Sequence, residues 1–268
     1  METGQKKENE GIFSRTELLL GRAAMDKLRA SRVAVFGIGG VGGYVCEALV
    51  RSGIGALDLI DSDRVSLSNL NRQIIATRKT IGAYKVDAMR ERILEINPEC
   101  DVREYKCFFL PETSKDFPFQ SYDYIVDAVD TVTAKIELVR KAAEEGIPVI
   151  SSMGAGNKLD GSLFRVADLY ETKVCPLARV MRRELKKQGI EKLKVVYSEE
   201  VPICPAETGV QENQENGESG GSEGKLQEHT DRDAGRRSIP GSVAFVPSVA
   251  GLLLAGEVIK DLCANLCG

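Results

Sequence analysis

A chain of 268 residues with 43% apolar side chains and a net charge of −4 has room for one well-cored α/β domain with additions, or for two small domains. Its apolar content is ordinary for a soluble globular protein. The single histidine, His229, lies in a low-complexity stretch, and the seven cysteines (46, 100, 107, 175, 204, 263 and 267) form no Cys-x-x-Cys pair. Histidine-based catalysis, His-rich metal sites and a zinc ribbon are thereby excluded.

The first thirty residues are charged and lack an apolar signal core, so no export signal is expected. An odd number of scattered cysteines in such a chain points to reduced thiols and a cytoplasmic protein. Residues 12–21 read as a short helix, followed by a linking helix over 23–30. Strands and helices then alternate: strand 32–37, helix 41–53, strand 56–61, a loop, helix 84–96 and strand 101–107. Next come strand 123–128, helix 132–145 and strand 147–152. Near-continuous apolar strands alternating with helices predict an α/β fold, Rossmann-like, with a mostly parallel sheet and helices on both faces. Ile96-Asn-Pro98 and Gly146-Ile-Pro148 are the expected helix stops.

Beyond Asn157 the pattern loosens. Leu159–Leu169 reads as a strand pair or an extended segment, Pro176–Gln188 as a helix and Lys192–Ser198 as a strand. Residues 206–240 are too polar to bury a core and read as a loop or insert. Within it, 206–235 holds eight acidic side chains against Lys225 and Arg232, which leaves the rest of the chain slightly basic and compatible with a nucleic-acid partner. The apolar run after Val243 contains Pro247 and meets Glu257 and Lys260 too early to span a membrane, so a buried helix is expected, with Gly251 and Gly256 suited to close packing against the sheet. The segments are therefore an N-terminal helical piece (1–31), a nucleotide-binding core (32–156), a C-terminal α/β extension with a basic helix (157–205), the acidic loop (206–240) and a packing helix (241–268).

Three strings carry the chemistry. Val33-Ala-Val-Phe-Gly37-Ile-Gly39-Gly40-Val-Gly42 is a buried strand running into glycines and a helix, an arrangement that brings backbone N–H groups to a phosphate. Alone it marks any dinucleotide-binding domain. The second string ends a strand on Asp61, placed for a ribose. The third, Ser66-Leu-Ser-Asn69-Leu-Asn-Arg72-Gln73, adds a cation and amides that a triphosphate needs and a dinucleotide oxidoreductase does not. Taken singly, Arg72 is a surface charge, Lys85 a helix lysine and Asp130 a helix cap.

Taken in order, Gly37-x-Gly39-Gly40-x-Gly42, Asp61-x-Asp63, Ser68-Asn69-Leu70-x-Arg72-Gln73, Lys85 and Asp130 resemble the adenylating domain of the ubiquitin-activating-enzyme superfamily, including the thiamin- and molybdopterin-synthesis adenylyltransferases. The resemblance implies that these residues bind ATP. Asp61 would hold the ribose hydroxyls, Asp63 would lie beside it, and Asn69, Arg72 and Lys85 would surround the phosphates. Asp130 would hold Mg²⁺, and Arg15, in Phe13-Ser-Arg-Thr, would reach across a homodimer to the neighbour's ATP. Asp127 is expected to brace the strand end.

Further strings are similar to one branch, the tRNA threonylcarbamoyladenosine dehydratases: Arg51-Ser-Gly-Ile-Gly-Ala, Ile96-Asn-Pro-Glu-Cys, Gly154-Ala-Gly-Asn, Asp168-Leu-Tyr-Glu-Thr, Cys175-Pro-Leu-Ala-Arg and Gly241-Ser-Val-Ala-Phe-Val-Pro. This resemblance implies adenylation of a nucleoside carboxylate, then internal ring closure, with no acyl-carrying cysteine. Cys175 and Cys204 read as small residues beside prolines. The implied partner is tRNA, met by Arg179, Arg182, Arg183, Lys186 and Lys187 on one side of a helix, with Arg236 and Arg237 as additions; a sulfur-relay protein is a further possible partner. The rival readings are an adenylyltransferase for a ubiquitin-like sulfur carrier, a scaffold without turnover and an NAD-dependent dehydrogenase.

Overall fold

The chain, a computed structural model whose described residues are 11–204, 240–264 and 266, is built on one seven-stranded sheet in the order β3-β2-β1-β4-β5-β7-β6. The strands are β1 (Arg32–Phe36), β2 (Ala56–Ile60), β3 (Asp101–Tyr105), β4 (Tyr124–Asp127), β5 (Val149–Ser152), β6 (Phe164–Asp168) and β7 (Lys194–Ser198). All pair in parallel except β6, which runs antiparallel to β7 with Phe164 opposite Ser198 and Val166 opposite Val196. Leu159–Leu169 thus supplies one edge strand between two 3₁₀ turns, Gly161–Leu163 and Leu169–Glu171, and not a strand pair.

Successive side chains of each central strand enter different cores, the two-residue period of a sheet buried on both faces. Val33, Val35, Leu57, Leu59, Tyr124 and Val126 point to one face. Ala34, Phe36, Ile60 and Ile125 point to the other, where Phe109, Phe117 and Phe119 pack around Phe36. The edge strand β3 is Asp-Val-Arg-Glu-Tyr and mostly exposed, a charged edge of the kind that resists pairing with another chain. It stops at Tyr105, two residues short of the expected end.

The helices are α1 (Ser14–Leu20), α2 (Arg22–Ala30), α3 (Gly42–Arg51), α4 (Lys85–Ile96), α5 (Val132–Glu145), α6 (Pro176–Lys187) and α7 (Pro247–Leu262). Helix α4 is capped by Asn97, before Pro98, and α5 by Gly146 in the left-handed conformation (φ 67°), as the breakers predict. Helices α2, α3, α4 and α7 cover the first face. Helices α5 and α6 cover the second.

Helix α7 is buried through Pro247, Ala250, Gly251, Leu254, Ala255, Val258 and Ile259. Among the described residues no helix is long and apolar enough to cross a membrane. A side chain at Gly251 would stand 2.4 Å from the Val41 carbonyl oxygen, so the close approach is to α3 and not to the sheet. Gly256 meets nothing within 4 Å, against the expectation that it packs closely.

Candidate active site

The strand order reverses around β1: the chain runs outward through β2 and β3, then returns to place β4 on the other side of β1. A ligand cleft in an open α/β sheet forms beyond the carboxyl ends of the strands at such a switch. Here a cleft of about 420 Å³ opens there, beyond Phe36, Ile60 and Asp127. Two glycines make its floor possible. Gly37 has φ +88°, and a β-carbon there would lie 2.6 Å from the Ala128 carbonyl oxygen. One on Gly42 would lie 1.8 Å from the Gly37 carbonyl oxygen, so no larger residue fits the turn into α3. The first turn of α3 therefore starts at the cleft, where its N–H groups lack intrahelical acceptors.

Gly37, Gly39, Gly40, Asp61, Asp63, Asn69, Arg72, Lys85 and Asp130, nine residues singled out in the sequence, line this space. Gly42 lies beneath them, against Gly37. Arg15 is exposed on α1 and does not line it.

Asp61 follows β2 and is held on both oxygens. Ile38 N donates to Oδ2 at 2.7 Å and Asp63 N to Oδ1 at 2.8 Å. Burial raises its pKa, partly countered by the nearby Lys85 ammonium. Lys85, the first residue of α4, is buried to the tip, with Nζ 2.6 Å from Asp63 Oδ2 and 3.7 Å from Asp61 Oδ2. The Asp63 side chain remains 55% exposed, so the pair anchors the lysine while keeping its charge at the cleft. Asn69 closes the 3₁₀ turn Leu67–Asn69, its Oδ1 accepting from Ser66 N in a capping box. That turn projects Arg72, whose Nη1 donates to Ser68 O at 3.0 Å and Asn71 Oδ1 at 2.9 Å. Its partners among the described residues are neutral oxygens, so its charge is available to an anion.

Asp130 is exposed where β4 leaves the sheet, with no hydrogen bond or ion pair among the described residues. Behind it Asp127, fully buried, accepts from Lys135 Nζ at 3.1 and 3.0 Å and from Ser151 Oγ. Lys135 also donates to Ser152 O at 2.7 Å. Asp127 thus ties β4, β5 and α5 together directly below the cleft, the bracing role anticipated for it.

The cleft also contains Ser62, Phe108 and Phe109, to which sequence reading assigned no role, beside Gln73 of the third string. Phe108 and Phe109 form an aromatic wall after β3; an aromatic pair just past a strand's carboxyl end was the available signal. Gln73 Oε1 and Ser62 Oγ are buried there without a partner among the described residues. Such orphaned oxygens, beside glycines that exclude side chains, fit a polar ligand seated in the cleft.

Helix α6 carries the basic stripe. Arg179, Arg183, Lys186 and Lys187 are exposed, and Arg183 and Lys187 both pair with Glu184. Arg182 departs from the stripe. Its guanidinium turns inward to the carbonyls of Leu169 and Thr172 and to Thr172 Oγ1, tying α6 to the preceding turn. Arg236 and Arg237 lie outside the described residues. Cys175 is buried at the start of α6 and Cys204 is exposed, and neither lines the cleft. Among the described residues no cluster of three metal-ligating side chains occurs. Because neither thiol lines the cleft, replacing Cys175 and Cys204 together by serine is expected to leave turnover within about twofold of the parent rate; an inactive variant with an unchanged Tm would establish an acyl-carrying thiol.

The fold and cleft define a Rossmann-like nucleotide-binding protein in which a cation, a lysine–carboxylate pair and an open carboxylate surround the phosphate turn. The chain belongs to the ThiF family, which matches residues 13–266. It is 43% identical over 255 residues to the tRNA threonylcarbamoyladenosine dehydratase of Bacillus subtilis, covering 95% of both chains. It is 38% identical over 205 residues to the protein of the same name from Escherichia coli, covering 74% of this chain and 76% of that one. The solved structure of the Escherichia coli dehydratase TcdA in complex with ATP superposes with a TM-score of 0.78 at 31% identity, covering 94% of this chain and 93% of the other.

Proposed function

We propose that this chain is an ATP-dependent dehydratase of N6-threonylcarbamoyladenosine in tRNA. The observation that carries the reading is the grouping of Asp61, Lys85, Arg72 and Asp130 around the Gly37–Gly42 turn, in a chain similar along almost its whole length to a protein of that name.

A carboxylate is a poor electrophile because oxide is a poor leaving group. In the proposed reaction a carboxylate oxygen of the threonyl group attacks the α-phosphorus of ATP and pyrophosphate departs, giving an acyl-adenylate. A nucleophile within the same nucleoside then attacks the acyl carbon, closes a ring, loses its proton and expels AMP. The substrate's oxygen leaves on AMP, so the nucleoside loses the elements of water. No histidine, thiol or general base of the protein is required. Asp61 accepts hydrogen bonds from the ribose, and the turn into α3 meets the phosphates. Arg72 and Lys85 offset the charge that grows on the departing pyrophosphate.

An exposed carboxylate such as Asp130, unpaired among the described residues, is the donor set expected for Mg²⁺ held mainly by phosphates and water. When bound, Mg²⁺ supplies charge neutralisation on the triphosphate. Arg15, outside its own cleft on the exposed helix α1, is assigned to the neighbour's site in a homodimer. Arg179, Arg183, Lys186 and Lys187 are assigned to tRNA phosphates.

The test is to incubate the protein with ATP, Mg²⁺ and tRNA carrying threonylcarbamoyladenosine, and to weigh the digested nucleosides. The expected result is an ATP-dependent loss of one water from that nucleoside. An unchanged nucleoside, with pyrophosphate exchange only in the presence of a small protein ending in Gly-Gly, would move the chain to carrier activation.

A further inference from the structure

We infer that Asn157 and Asn71 are positioning residues that set the Arg72 guanidinium through the short segment Pro240–Ser242. The proposal rests on the ATP-binding reading of the cleft.

Pro240, Gly241 and Ser242 form one wall of the cleft, although they lie far along the chain from the glycine turn and from Arg72. Asn157 holds this segment in place. Its backbone N–H donates to Gly241 O at 2.8 Å, and its side-chain Oδ1 accepts from Gly241 N at 2.6 Å. Its own carbonyl accepts from Ile203 N at 2.7 Å. One residue therefore grips both Ile203 and Gly241, on either side of residues 205–239. To do so it adopts a left-handed backbone with φ 59°, one of two positive-φ non-glycine residues among those described. Asparagine tolerates that conformation better than most residues, and this one directly follows Gly156 of the cleft wall. The fit beside it is tight: a side chain on Gly156 would meet Pro240 Cβ at 2.9 Å.

The other end of the segment is held by the loop that carries Arg72. Asn71 Nδ2 donates to Ser242 O at 2.9 Å, and Asn71 Oδ1 accepts from Arg72 Nη1 at 2.9 Å. The path from Asn157 through Gly241, Ser242 and Asn71 to Arg72 is thus an unbroken run of backbone and hydrogen bonds. Arg72 has no carboxylate to fix it among the described residues, so this run and Ser68 O determine where its charge lies.

The experiment is ATP affinity by calorimetry on the full chain, without tRNA. Asn157→Gly keeps the positive φ and both backbone hydrogen bonds while removing the side-chain acceptor. It is expected to weaken ATP binding about fivefold, the worth of one hydrogen bond. Asn157→Asp, which retains an acceptor and the tolerance for positive φ, is expected to bind like the parent. Asn71→Ala should weaken binding at least as much as Asn157→Gly.

In an Arg72→Ala background neither substitution should weaken binding further, because the group they position is gone. An undiminished effect of Asn157→Gly in that background would overturn the proposal, leaving the segment as a wall that touches the nucleotide directly. Parental affinity in Asn157→Gly would overturn it as well. A parent protein that binds no ATP would instead remove the nucleotide reading on which the proposal stands.

Discussion

Replacement of Arg72 by alanine is expected to lower ATP-dependent turnover by about 10²–10³-fold, the usual consequence of removing one preorganised donor to a developing charge. The loss should fall mainly on kcat. The glycine turn, Asp61 and Lys85 should go on holding the nucleotide, so ATP affinity should fall only severalfold, whereas most of the charge that Arg72 is expected to offset grows as pyrophosphate separates. Arg72→Lys should recover part of the rate, since it keeps the charge but not the planar guanidinium, whose Nη1 donates to both Ser68 O and Asn71 Oδ1. Steady-state release of pyrophosphate measures both variants. A rise in KM at constant kcat would assign Arg72 to ground-state binding alone.

The largest effect on stability is expected at Lys135. Its ammonium is 1% exposed against a fully buried Asp127 carboxylate, and it also serves Ser152 O and Ser151 Oγ. Lys135→Met leaves a buried charge without its cation and should cost about 3–5 kcal/mol in urea unfolding. Converting both partners, with Asp127→Leu added, should restore much of that loss, because two apolar groups need no pairing. Equal instability of the single and double variants would mean that Ser151 and the strand end, not the missing cation, dominate. Ala128, next in the chain, stands against Gly37, so the single variant should also weaken ATP binding.

Much of this site could be read along the chain because its parts sit at strand ends. Apolar runs locate β1, β2 and β4, and the residue just beyond β1 and β2 faces the cleft, as Gly37 and Asp61 do, while Asp130 follows three residues past β4. Asp127 was also legible, since a carboxylate at the last position of a buried strand must find a partner. That the partner is Lys135 follows from the spacing of one helix turn into α5, visible only once the helix is placed. Contacts between distant segments left no local signal. Nothing in the periodicity of α6 reveals that Arg182 turns toward Thr172 while Arg183 faces out. Gly251 and Gly256 look alike in sequence, yet only the first lies against another backbone. The antiparallel direction of β6 depends on its register with β7, which a single segment does not encode.

Helix α7 has a consequence for how the protein comes to exist. It fills the groove over α3, with Gly251 against Val41 and Asp261 Oδ2 accepting from Tyr124 at the start of β4. The fold around the phosphate turn therefore draws one of its supporting layers from residues made about two hundred positions later. Emerging from the ribosome at roughly 5–20 residues per second, the early βαβ unit must wait with an apolar flank uncovered. ATP binding can then stabilise the fold only once α7 is in place over that flank.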